Sequence, residues 1–164
     1  MGNIIKALLL IWELPQNIVG AFYFIIHGVF AKTFIIDDGD SFEMYSDKQK
    51  GAVSLGVFRV YKAEYYGNAA QFVKLTRKHE KGHRIQSKIL GPFYLIVIGL
   101  PSLAWATLHF YVKRLGAVDY YSFYTEKWAD RLGGVKRGAG QQVIYWPSWR
   151  RLQSVPSWQG GAKA

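Results

Sequence analysis

The chain has 164 residues, half of them hydrophobic and 16% aromatic, which supplies the core of one domain and falls short of two. Charged residues make up only 20%, so disorder is excluded, and the absence of cysteine removes disulfides, cysteine-ligated zinc, iron–sulfur clusters and a thiol nucleophile together. Any metal must be held by His, Asp or Glu. Lys and Arg outnumber Asp and Glu 21 to 11, for a net charge of +10, and no acid follows Asp130; that balance suits anionic lipid or nucleic acid.

The first apolar stretch, Ile4 to Ile36, is broken by Glu13, Pro15, Gln16 and Asn17 into Ile4–Trp12 and Ile18–Phe30. The longer piece with its flanks approaches spanning length, and no small-residue cleavage site follows a short apolar core. Residues 1–36 are therefore expected to form an uncleaved N-terminal membrane anchor or hairpin. In the polar segment that follows, Asp37-Asp38-Gly39-Asp40 reads as a turn, because its spacing misses the calcium-loop template. Ser54 to Tyr61 has the β-branched and aromatic content of one strand with imperfect alternation. Asn68, with Gln71 three positions on, makes a capping pair for a helix running to about Leu90, where Gly91-Pro92 stops it.

A second apolar stretch, Ile89 to Val112, contains Gly99-Leu100-Pro101-Ser102 near its middle. Each arm has about a dozen residues against the roughly 20 needed to cross a bilayer, so the stretch is expected to fold back, as a re-entrant or interfacial hairpin turning at that breaker or as a core helical pair. The tail, residues 136–164, is basic and Trp-rich. Trp146, Trp149 and Trp158 beside Arg150 and Arg151 read as interfacial anchors. With no zinc-finger, RNA-recognition or helix-turn-helix pattern, nucleic acid is the weaker partner and the lipid bilayer the stronger one.

On the helix ending near Leu90 sits His79-Glu80-Lys81-Gly82-His83. At 3.6 residues per turn, histidines four apart point the same way, so both imidazoles can meet one zinc while Glu80 reaches the water beside it. A catalytic zinc needs a third protein ligand. If Tyr124 to Gly134 is helical, Glu126 can ligate while Asp130, on the same face, accepts a hydrogen bond from the far nitrogen of a liganding His. His27 and His109 lie in apolar stretches and read as packed or interfacial histidines. The chemistry implied is hydrolysis of a peptide or protein substrate by a zinc-activated water with Glu80 as general base; an oxyanion donor is sought among Tyr94, Tyr120, Tyr121 and Tyr124.

The two blocks, H-E-x-x-H and E-x-x-A-D-x-x-G, resemble those of the gluzincin metallopeptidases, particularly the membrane-embedded prenyl-protein-protease and heat-shock-protease-like group. The match falls on His79, His83 and Glu126 as zinc ligands and on Glu80 as general base. More closely, HEKGHRIQS, LGPFYL, IGLPS and FYTEKWADRLGGV resemble small bacterial membrane-associated proteins carrying the same blocks, over roughly Ser54 to Val135. The known proteases are longer and carry more spans. The expected fold is mainly α with a small β element, a zincin-like core over residues 37–135 with apolar membrane-associated helices or hairpins. The expected location is the bacterial inner membrane, with the site facing the cytoplasm. The alternatives are a non-catalytic membrane module whose zinc only staples two helices, and a basic lipid-surface adaptor. The sequence carries no signal of oligomeric state.

Overall fold

The computed structural model describes residues 3–111 and 118–137. The Trp-rich part of the basic tail lies outside them, so its anchoring role has no structural counterpart here. Helix α1 (Asn3–Trp12) leads into α2 (Leu14–Phe30), and four short strands follow: β1 (Thr33–Asp37), β2 (Phe42–Ser46), β3 (Ala52–Leu55) and β4 (Phe58–Lys62). Then come α3 (Gln71–Leu90), α4 (Leu100–Tyr111) and α5 (Tyr124–Gly133). The strands form one mixed sheet in the order β1-β2-β4-β3, with β2 and β4 parallel and the outer pairs antiparallel.

This corrects the expectation of a mainly α, zincin-like core with apolar membrane-associated helices or hairpins. The described residues form an α/β fold with five helices and a four-stranded sheet, and among them no helix is long and apolar enough to cross a membrane. The strands were hard to read because both faces of the central pair, β2 and β4, are covered. Met44 and Val60 meet Phe24 of α2 on one face, with Tyr23, Val53 and Phe58 around them. On the other face Tyr45 and Tyr61 lie under Arg77 of α3, which also donates to Glu43. A strand with two covered faces loses the apolar–polar alternation that marks a half-exposed one. The segment Ser54–Tyr61, read as a single strand, is instead the end of β3, a two-residue Gly56-Val57 turn, and β4, with Leu55 paired to Phe58. The turn is fastened by Asn17 of α2, whose Oδ1 accepts from the Val57 amide at 2.9 Å.

Helix α3 occupies Gln71–Leu90, but its first turn lacks the expected side-chain cap; Asn68 Oδ1 accepts from the Ala70 amide at 2.9 Å instead. At its other end Gly91 adopts φ +52°, and a Cβ there would lie 2.1 Å from the Trp12 ring. Only glycine combines that backbone angle with that approach. Past this bend the chain does not turn back at Gly99–Ser102. It runs through a π-helical segment, Leu95–Gly99, directly into α4. Residues 118–122 lie back along α4, where His109 Nε2 donates to Val118 O and Trp105 Nε1 to Tyr120 O, both at 2.9 Å, and they lead into α5 against α3.

Candidate metal centre

Helices α3 and α5 make the most extensive helix–helix contact in the molecule, and glycine permits it. A Cβ on Gly82, inside the H-E-x-x-H block, would lie 1.9 Å from Ala129 O; one on Gly133 would lie 2.0 Å from Lys78 O. With both positions bare, the two backbones touch, and the α3 histidines face the first turn of α5. The sequence-predicted His79, His83 and Glu126 are thereby brought together as a buried group that can hold a metal ion. His79 Nε2 lies 3.1 Å from His83 Nε2 and 3.1 Å from Glu126 Oε2, and the third side of the triangle is 3.5 Å. Bonds of about 2.0–2.1 Å at tetrahedral angles separate neighbouring donors by about 3.3 Å, so these atoms already stand at coordination spacing.

The surrounding contacts orient each donor. Asp130 Oδ1 accepts from His79 Nδ1 at 2.7 Å, and Arg137 donates to both Asp130 oxygens at 2.6 and 2.8 Å. The Arg137 guanidinium also covers the face of Tyr121, whose ring meets His79 edge-on. Glu126 Oε1, the oxygen turned away from the histidines, accepts from Ser102 of α4 and from Thr125 Oγ1. On the far side of His83, Nδ1 is 2.7 Å from Gln86 Oε1, and Gln86 Nε2 donates to Thr125 O at 2.9 Å. Sequence reasoning found Asp130 by its helical spacing but missed Gln86, Ser102 and Arg137. Gln86 alone had a local signal, three residues beyond His83 on the same helix face.

The charge distribution favours a cation. Burial disfavours a charge on His79, but the hydrogen bonds to Asp130 and Glu126 outweigh it and raise its pKa to about 9. Burial acts against ionised Glu126 as well, yet the two histidines hold its carboxyl well below the ordinary value. Two carboxylates that retain a proton on His79 create equally favourable ground for a metal. Glu80 is only 5% exposed; burial is the main cause of its raised pKa, and its Oε2 has no hydrogen-bond partner among the described residues. A buried carboxyl oxygen with an open acceptor site beside three convergent donors fits a site that takes an ion with a solvent ligand.

The remaining candidates are distributed differently. His27 Nδ1 pairs with Ser46 Oγ at 2.8 Å against the sheet, and His109 packs on Trp105 and Tyr120; neither joins the cluster. Of the four tyrosines, Tyr94 donates to Ser54 O and Tyr124 to Val97 O, whereas Tyr121 touches His79 and Tyr120 is hydrogen-bonded to Ser102. The chain matches no protein-family model, no curated protein and no solved structure.

Proposed function

We propose that this protein is a membrane-associated zinc metallopeptidase, with His79, His83 and Glu126 holding the ion and Glu80 as the general base. The observation that carries the reading is the open Oε2 of buried Glu80 beside the triangle of donors. A zinc-stapled helix pair needs no such carboxylate, since a structural site closes its coordination with protein ligands. A bound zinc would supply Lewis acidity and bring water within reach of deprotonation near neutral pH. Glu80 would take that proton and pass it to the leaving amine, while Asp130, fixed by Arg137, keeps the His79 ring in place. Tyr121, whose ring meets His79, is the candidate donor for a developing oxyanion, because the hydroxyls of Tyr94 and Tyr124 are committed to backbone carbonyls and that of Tyr120 to Ser102.

Association with a lipid surface is supported by the outward stripes Ile18, Phe22, Ile25 and Val29 on α2 and Leu100, Leu103, Leu108 and Tyr111 on α4, all exposed. The excess of cations favours an anionic, cytoplasm-facing leaflet of a bacterial inner membrane. The test is a pair of variants assayed for zinc by elemental analysis and for hydrolysis against a peptide library, with anionic vesicles present and absent. His83→Ala is expected to lose the ion. Glu80→Gln is expected to keep it while hydrolysis falls by about a hundredfold or more. Unchanged hydrolysis by the Gln variant overturns the general-base role, and undiminished zinc in the Ala variant overturns the ligand assignment.

A further inference from the structure

Gln86 of α3 is wholly buried, and its side-chain amide pairs with His83 on its own helix and with Thr125 on α5. Its amide has two different ends, and its surroundings determine which way each end points. Thr125 O is a backbone carbonyl and can only accept, so the end facing it at 2.9 Å is the NH2 group. The amide oxygen therefore faces His83 Nδ1 at 2.7 Å. An amide oxygen cannot donate, so the proton of that hydrogen bond belongs to Nδ1. In a neutral imidazole with Nδ1 protonated, Nε2 carries the bare lone pair, and Nε2 is the atom 3.1 Å from His79 Nε2 and 3.5 Å from Glu126 Oε2.

We infer that Gln86 is a positioning residue that selects the Nδ1–H tautomer of His83, and so turns its Nε2 lone pair into the donor triangle, taking its own orientation from the carbonyl of Thr125. This inference rests on the reading of His79, His83 and Glu126 as metal ligands. It also makes the two ligand helices interdependent, because the group that sets the tautomer on α3 is oriented by the residue preceding Glu126 on α5. Asp130 performs the corresponding task for His79 with a carboxylate. His83 receives the same service from a neutral amide, which adds no further negative charge to a site already holding Glu80, Glu126 and Asp130.

The chain has four histidines, few enough for each imidazole to be assigned by long-range 1H–15N correlation in 15N-histidine-labelled, metal-free protein near neutral pH. His83 in wild type is expected to show the Nδ1–H pattern. Gln86→Met, which keeps the length and removes both hydrogen bonds, should lose that pattern and weaken cobalt(II) or zinc affinity by about 10 to 100-fold. Gln86→Glu retains an acceptor for Nδ1–H and loses the donation to Thr125; it should restore the pattern and most of the affinity. A role confined to bridging the helices predicts equal losses in both variants, and that result overturns the proposal. So does an Nε2–H pattern for His83 in wild type, a measurement that needs neither a folded variant nor a metal. Wild-type protein that takes up no cobalt or zinc instead overturns the metal reading of the site, while the imidazole pattern continues to judge Gln86.

Discussion

Replacing Gly82 with Ala sets two effects of opposite sign against each other. In an isolated helix the change is favourable by about 1 kcal/mol, because Ala loses less backbone freedom than Gly. Here the new methyl would lie 1.9 Å from Ala129 O, 2.6 Å from its carbonyl carbon and 2.9 Å from its Cα. All three are backbone atoms of α5, so no side-chain rotation can relieve the clash. Reaching ordinary contact near 3.4 Å requires α5 to retreat by about 1.5 Å. Overpacking of this kind costs about 1–3 kcal/mol, and against backbone the upper end applies, leaving a net destabilisation of about 2 kcal/mol. The retreat would carry Glu126 with it, and coordination tolerates only about 0.2 Å. The affinity of the triangle for a metal ion should therefore fall by more than about a hundredfold, beyond a loss of a supporting contact. Urea denaturation and competition with a chromogenic chelator measure the two quantities. A Gly82→Ala protein with the metal affinity of wild type, or one that unfolds at the same or higher urea concentration, would refute the close helix contact as the basis of the site.

Two further perturbations probe ion pairs away from the metal site. Arg84, 2% exposed, donates to Glu13, which is fully buried at the α1–α2 junction and also accepts from Ser87 Oγ. Arg84→Met leaves the Glu13 carboxylate without its cation and should cost about 3–5 kcal/mol in urea denaturation, with much of the loss recovered when Glu13→Gln is added; a cost that persists undiminished in the double variant counts against the ion-pair account. Asp38 sits in the β1–β2 turn. Burial opposes its ionisation, but Arg59 and the amides of Asp40 and Ser41 outweigh that and hold its carboxyl below the ordinary value. Because the folded pKa lies below the unfolded value of about 3.9, its contribution is complete at higher pH and disappears as pH falls through the folded value. Asp38→Asn should therefore flatten the acid limb of stability between neutral pH and that region, and an unchanged limb in a pH series of thermal melts argues against the role.

The parts of this protein that the sequence determined by itself are those set within a few residues. Helical periodicity alone aligns His79 with His83, and Glu126 with Asp130, since positions four apart share a face whatever surrounds them. The C-terminal end of α3 follows equally from local chemistry, because Gly91-Pro92 cannot continue a regular helix. What only the tertiary structure decided is everything that depends on partners distant in the chain. The sheet was hidden because α2 and α3 cover both faces of its central pair and remove the alternation that marks a strand, and the parallel β2–β4 pairing has no local turn to announce it. The chain does not turn at Gly99–Ser102, and the placement of residues 118–120 back against α4 is set by Trp105 and His109 donating to the carbonyls of Tyr120 and Val118. Gly82 and Gly133 acquire meaning only when two helices lie against each other, and Gln86, Ser102 and Arg137 become supports of the site only when α3, α4 and α5 converge. Spacing along one helix is a property of the backbone; which helix faces which is a property of packing, and no local pattern encodes it.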